Sequence, residues 1–189
     1  MILEKEVRYL GHKISESGIR PDSRKIDAVR LIDIPGNVGQ LRSFLGMASY
    51  LRRFVPNYAS LTVPLIALTK KKVKFNWNQE ANQAFNAIKE AIAKAGELYP
   101  IDPSSTDFVL QTDASDIGVG AILFQVQSMR GEVPIDMASM KFSEVQERWD
   151  TRDKELFAIK WAINRWKHLL TFPEFMVKLI IRVCITSMD

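Results

Sequence analysis

Apolar positions follow two different rhythms along the chain. Between residues 22 and 95 they fall three and four apart, the spacing of an amphipathic helix. After residue 105 they alternate or run together, as in half-buried and buried strands. The opening "EVRYLGHKISESGIRPD" predicts two short strands around Gly11, then a turn at Ser17-Gly18 and Pro21. Residues 22–33 form a short helix with Ile26, Val29, Leu31 and Ile32 on its apolar side, ended by Pro35-Gly36. Asn37 stands three residues before Gln40, a capping-box spacing, and Leu41, Phe44, Leu45, Ala48 and Leu51 then repeat at helical intervals. A third helix over 57–70 is bent or begun at Pro64. A charged connector with a strand-like tail (70–77) leads to a helix over 78–95, with Phe85, Ile88 and Ile92 on one side.

Pro100 and Pro103 mark a boundary. Beyond it "DFVLQTD", "GVGAILFQV" and "EVPIDMASM" predict a three-stranded meander. A helix over roughly 150–170 follows, with Leu156, Ile159, Ala162, Ile163, Trp166 and Leu170 as its buried stripe, and "EFMVKLIIRVCI" predicts a fourth strand. The fold class is α+β: a small helical unit, then a β-β-β-α-β unit.

Composition sharpens this picture. Of 189 residues, 47% are apolar, enough for a real core. One cysteine, Cys184, excludes an internal disulfide and suits a reducing compartment. Charges at Glu4, Lys5 and Glu6 break any secretory apolar region, and no apolar run approaches a membrane span. A cytoplasmic or nuclear, non-secreted protein is the expectation, with no membrane partner. The net charge of +4 is unevenly spread: residues 1–76 carry 14 Lys and Arg against 6 Asp and Glu, residues 77–189 carry 12 against 16. A basic first part suits a polyanion partner or a solvated surface; an acidic second part suits a cation.

Two aspartates, Asp113 and Asp116, interrupt the apolar stretch 107–126. Glu155 lies four residues before Ile159 and seven before Ala162, so it shares the core-facing side of its helix. If Asp113 and Glu155 aim into one interior spot, each costs several kcal/mol unless paired. A divalent cation would offset that cost; a pair of Mg²⁺ ions about 4 Å apart supports in-line phosphoryl displacement. The other reading stays open on spacing alone. Asp113 is then a strand-end residue, Asp116 an Asx-turn former before Gly118, and Glu155 a first-turn carboxylate favoured by the helix dipole. No Ser/His/Asp set, Cys/His cluster or Walker-type glycine loop competes, and no small-molecule cofactor is implied.

Five blocks, "YLGHKISESGIRPDSRKIDAV", "LRSFLGMASYLRRFVPNYASLTVPLIALTKK", "FNWNQEANQAFNAIKEAI", "LQTDASDIGVGAILFQ" and "TRDKELFAIKWAINRWKHLL", stand in the order found in Ty3/gypsy-type retroelement polyproteins. The resemblance runs from residue 4 to 178. It implies the end of a reverse transcriptase palm with a primer-grip-like hairpin (1–21), a thumb-like helical unit (22–76), a connecting helix segment (77–104) and a partial RNase H-like domain (105–189). Arg52 and Arg53 would then face a template–primer backbone, and Lys70, Lys71, Lys72 and Lys74 would contact phosphates. The partner implied is a template–primer duplex or an RNA–DNA hybrid. The aspartate of "TDAS" and the glutamate of "KEL" carry over as Mg²⁺ ligands and catalytic residues: Asp113 and Glu155. Asp116 falls outside the ligand set and takes a turn role. Trp77 and Trp161 match aromatic core positions.

The chain departs from the family twice. The Tyr-x-Asp-Asp loop that holds polymerase metals is absent, so polymerisation is not expected. After "FMVK" (175–178) the family carries Thr-Asp-His, whose aspartate is the next metal ligand. Here Leu179, Ile180 and Ile181 stand in those places. Leu-Ile-Ile-Arg-Val-Cys can be encoded CTG ATC ATA AGA GTT TGC, and compatible codons begun one base earlier read Thr-Asp-His-Lys-Ser-Leu. A frameshift near residue 178 would put residues 179–189 out of the family's frame. The expectation is a retroelement reverse transcriptase/RNase H fragment with little or no hydrolytic activity of its own. The alternative is a domesticated module that binds nucleic acid or protein. The absent later elements would leave one sheet face and an edge undercovered.

Overall fold

The structure is a computed structural model that describes residues 5–171 and 175–179. It opens with a small antiparallel sheet, β1 (Glu6–Tyr9), β2 (His12–Ser15) and β3 (Ile19–Pro21). Leu10 and Gly11, both at positive φ (46° and 73°), make the tight turn between β1 and β2. The sequence predicts two strands here. A third forms because Lys13 and Ile14 offer a free edge to Arg20 and Ile19.

Four helices follow: α1 (Ser23–Arg30), α2 (Val38–Tyr50), α3 (Tyr58–Ala67) and α4 (Gln79–Ala93). Each of three starts on a side-chain cap. Asp22 accepts from the Arg24 N–H (3.0 Å), Asn37 from Gln40 (3.0 Å) and Asn78 from Ala81 (2.8 Å). Val29, Leu41, Phe44, Leu51, Leu65, Phe85, Ile88 and Ile92 bury together, so α4 shares one core with α1–α3. Leu31, expected on the apolar side of α1, is 81% exposed because the helix ends before it. Pro64 lies inside α3 rather than at its start. The strand-like tail expected within 70–77 does not form. Trp77 instead packs edge-on against Phe85, with centroids 5.6 Å apart.

The second sheet has the order β6-β5-β4-β7. Its members are β4 (Phe108–Ala114), β5 (Gly118–Gln127), β6 (Gly131–Lys141) and β7 (Phe175–Leu179). The first three form the antiparallel meander, and β7 runs parallel to β4, with Leu179 opposite Thr112. Parallel pairing needs a crossover, which α5 (Thr151–Arg165) and the short α6 (Lys167–Leu170) supply. The α+β class and the β-β-β-α-β order are as expected. The single helix expected over 150–170 breaks at Trp166 (φ −114°, ψ 24°). Its buried stripe is also turned from the expected one. Lys154, Ala158, Ala162, Trp166 and Leu170 are buried, whereas Leu156 is 64% exposed. The two alanines let α5 approach the sheet closely, and that approach selects the face.

Strand alternation sends Leu110, Ala121 and Leu123 toward α5. The opposite face, with Asp113 and Gly120, meets the first turn of α3. The Ala59 N–H donates to Ser139 Oγ (2.9 Å) there. The helical unit thus covers part of the face expected to be bare. Residues 180 and 181, two of the three that replace the family's Thr-Asp-His, lie outside the described residues, as does the rest of the out-of-frame stretch.

Candidate functional site

The C-terminal end of β4 carries Asp113, buried at 7% exposure. Its Oδ2 accepts a hydrogen bond from Asn57 Nδ2 at 2.8 Å. Glu155 comes from the second turn of α5 and is half-buried. It accepts a hydrogen bond from the Ala114 backbone N–H, so it reaches the end of the strand rather than its face. Burial, and then the charge of Asp113, push the Glu155 carboxyl above its ordinary value, while the Ala114 bond pulls the other way. The structure therefore brings the two carboxylates within each other's field.

The other Glu155 oxygen, Oε2, is buried without a hydrogen-bond partner. A buried carboxylate oxygen left unpaired costs free energy when ionised, and a proton or a divalent cation would relieve that cost. Mg²⁺ is commonly held by one or two carboxylates with waters completing its shell, and Asp113 and Glu155 are carboxylates of the chemistry such an ion takes. No group of three or more His, Cys, Asp and Glu able to hold a metal forms among the described residues.

Asp116 does not make the turn expected of it. Ser115 does, its Oγ accepting from the N–H groups of Ile117 (3.3 Å) and Gly118 (3.2 Å). Asp116 points outward and pairs with Lys154 Nζ at 3.0 Å. The ammonium of the buried Lys154 thereby keeps a partner at the surface. Trp161 is half-buried and packs against both apolar clusters of the sheet unit.

Arg52 and Arg53 form a 3-10 turn (Arg52–Phe54) after α2. Both are exposed and line a cavity of about 510 Å³ that also takes in Tyr50, Ser139 and Arg165. Arg53 is partly engaged: its guanidinium donates to Asp136 Oδ1 at 3.2 Å. Asp136 Oδ2 accepts from the Trp166 indole N–H at 3.1 Å. Lys70, Lys71, Lys72 and Lys74 are all exposed at the end of α3 and make no ion pair among the described residues. Asn57 escaped sequence reasoning. An asparagine after Pro56 signals a turn or a cap, but nothing local points to a partner 56 residues away.

Residues 77–177 match the family described as the RNase H-like domain found in reverse transcriptase. The chain is 37% identical over 167 residues to the Transposon Tf2-3 and Tf2-4 polyproteins of Schizosaccharomyces pombe. The match covers 88% of this chain but spans only 12% of the length of each relative. Among solved structures, the foamy viral protease-reverse transcriptase in complex with dsDNA aligns with a TM-score of 0.78 at 26% identity, over 96% of this chain and 38% of that one. The same protein in complex with RNA/DNA hybrid aligns with a TM-score of 0.77 at 26% identity, over 95% and 24%.

Proposed function

The chain belongs to the family of RNase H-like domains found in reverse transcriptase, and from that premise we propose that it is the duplex-cradling part of a Ty3/gypsy-type Pol polyprotein. One observation carries this reading. The similarity to the foamy viral enzyme extends over 95–96% of the chain, so it takes in the helical unit and the sheet unit in one arrangement. That enzyme was captured on dsDNA and on RNA/DNA hybrid. A duplex laid across this chain would meet Arg52 and the exposed run Lys70, Lys71, Lys72 and Lys74. Contacts of that kind neutralise phosphates without reading bases.

Asp113 and Glu155 would hold one Mg²⁺. When bound, such an ion polarises a phosphoryl oxygen and lowers the pKa of a bound water. Asp113 and Glu155 would supply the carboxylate oxygens that hold it. Hydrolysis by two ions needs further oxygen donors. The resemblance to Ty3/gypsy-type polyproteins implies an aspartate where Ile180 stands in this sequence. We therefore expect duplex binding with little or no cleavage.

The test uses a labelled 20-base-pair RNA–DNA hybrid with Mg²⁺, followed by anisotropy and by denaturing gel. The expected result is salt-sensitive binding with no cleavage above that of Asp113→Asn. Cleavage by the unaltered chain that Asp113→Asn removes would overturn the inactive reading. Failure to bind any duplex at low salt would overturn the cradle itself.

A further inference from the structure

Among the described residues, three helices have an asparagine at the N-cap. Two of those side chains cap their own helix, Asn37 on Gln40 and Asn78 on Ala81. Asn57, at the start of α3, makes no cap bond. An N-cap asparagine that leaves its own helix uncapped forgoes about 1 kcal/mol. Its amide instead donates to Asp113 of the sheet unit.

Two further features hold it there. Asn57 sits in the left-handed region (φ 52°, ψ 27°), which asparagine tolerates better than most residues. Its Oδ1 also lies so close to Gly120 that a Cβ built there would fall 1.5 Å from it. Only glycine leaves room for the amide. The next residues of α3 dock alongside, Ala59 N–H on Ser139 Oγ and Ser60 Oγ beside Ser115 Oγ at 3.4 Å. A cavity of about 220 Å³ opens between Asn57, Ser60, Asp113 and Ser115.

We propose that Asn57 is a latch on the carboxylate pair: its amide takes the place of a cation at Asp113, so docking of α3 on the sheet and binding of a divalent ion oppose one another. The inference rests on the reading of Asp113 and Glu155 as a cation site. The amide N–H presents partial positive charge to Asp113 Oδ2, as a cation would, and the two cannot share that approach. Because coupling is reciprocal, an ion that displaces the amide loosens α3 by the same factor that α3 weakens the ion. The device places the pair under the control of the helical unit, whose other task is to hold the duplex.

The test is Mn²⁺ titration of the full chain, read by the loss of free-ion EPR signal. The proteins are the unaltered chain, Asn57→Gly, Gly120→Ala and Asp113→Asn. Asn57→Gly keeps the left-handed backbone and removes the amide. Gly120→Ala keeps the amide and expels it, so a folding defect in either variant leaves the other informative. The expected result is binding at least about tenfold tighter in both variants than in the unaltered chain, within the usual range of coupling, and none in Asp113→Asn. Mn²⁺ should also speed amide exchange at Ala59 in the unaltered chain. Equal affinity in the first three proteins, lost in Asp113→Asn, would overturn the latch and leave the cation site standing. No Asp113-dependent binding in any of them would remove both.

Discussion

Trp166→Ala is expected to destabilise the chain by about 3–5 kcal/mol, the range for emptying a large aromatic site in a core. Trp166 is among the largest fully buried side chains and packs with Leu110, Leu123, Ala162 and Leu170. It also joins the two units. Its indole N–H donates to Asp136 Oδ2, and Asp136 Oδ1 takes the guanidinium of Arg53. Losing the ring therefore opens a cavity and frees one oxygen of a mostly buried carboxylate. For a chain of this size the loss corresponds to a fall in melting temperature of about 6–20 °C. Trp166→Phe separates the parts. It keeps most of the packing and drops the N–H, and should cost about 1–3 kcal/mol. Calorimetry of both variants checks the ordering. Equal costs would mean that the hydrogen bond, not the packing, dominates.

The second large effect concerns the duplex. Replacing Lys70, Lys71, Lys72 and Lys74 together by alanine should leave folding within about 0.5 kcal/mol, because all four are exposed surface positions. Duplex binding should change much more. Each lysine that neutralises a phosphate adds about 0.9 to the slope of log affinity against log salt, so the slope flattens by up to ~3.6. At 0.1 M salt that corresponds to a loss on the order of a thousandfold if all four make contact. Anisotropy at several salt concentrations between about 0.05 and 0.3 M, a roughly sixfold range around physiological ionic strength, reads the slope directly. An unchanged slope would remove the lysine run from the interface and leave Arg52 and the cavity beside it as the basic contact.

Local features were the most legible ones in the sequence. The cap at Asn37 and the apolar face of α4 follow from residues within one or two turns of each other, so spacing alone finds them. The meander was legible for the same reason. What spacing could not supply was anything decided by a distant partner. β3 exists because β2 offers it an edge. The face of α5 is chosen by how closely two alanines let it approach the sheet, which exposes Leu156 and buries Lys154. The ammonium of the buried Lys154 meets Asp116, 38 residues earlier.

The candidate site divides along the same line. Asp113 and Glu155 stand out in the sequence because carboxylates interrupt apolar patterns. Their approach around the end of β4, rather than across one face, is a property of packing. Asn57 is the extreme case, an ordinary cap residue by its local sequence whose side chain is committed to the other unit.

Glu155 offers the most direct measurement of whether the two carboxylates share a site. Its raised pKa has a stability consequence with a definite sign. The folded state keeps the proton to higher pH than the unfolded chain, so stability falls as pH rises from the ordinary carboxyl value to the raised one. Above that window the penalty is fully present. The carboxyl carbon of Glu155 can be titrated by NMR in the unaltered chain and in Asp113→Asn. A raised pKa is expected in the first, and in the second a value moved back toward the ordinary one but still elevated, because burial remains when the neighbouring charge is gone. A Glu155 titration that does not move when Asp113 loses its charge would contradict the shared site on which the cation and the latch both depend.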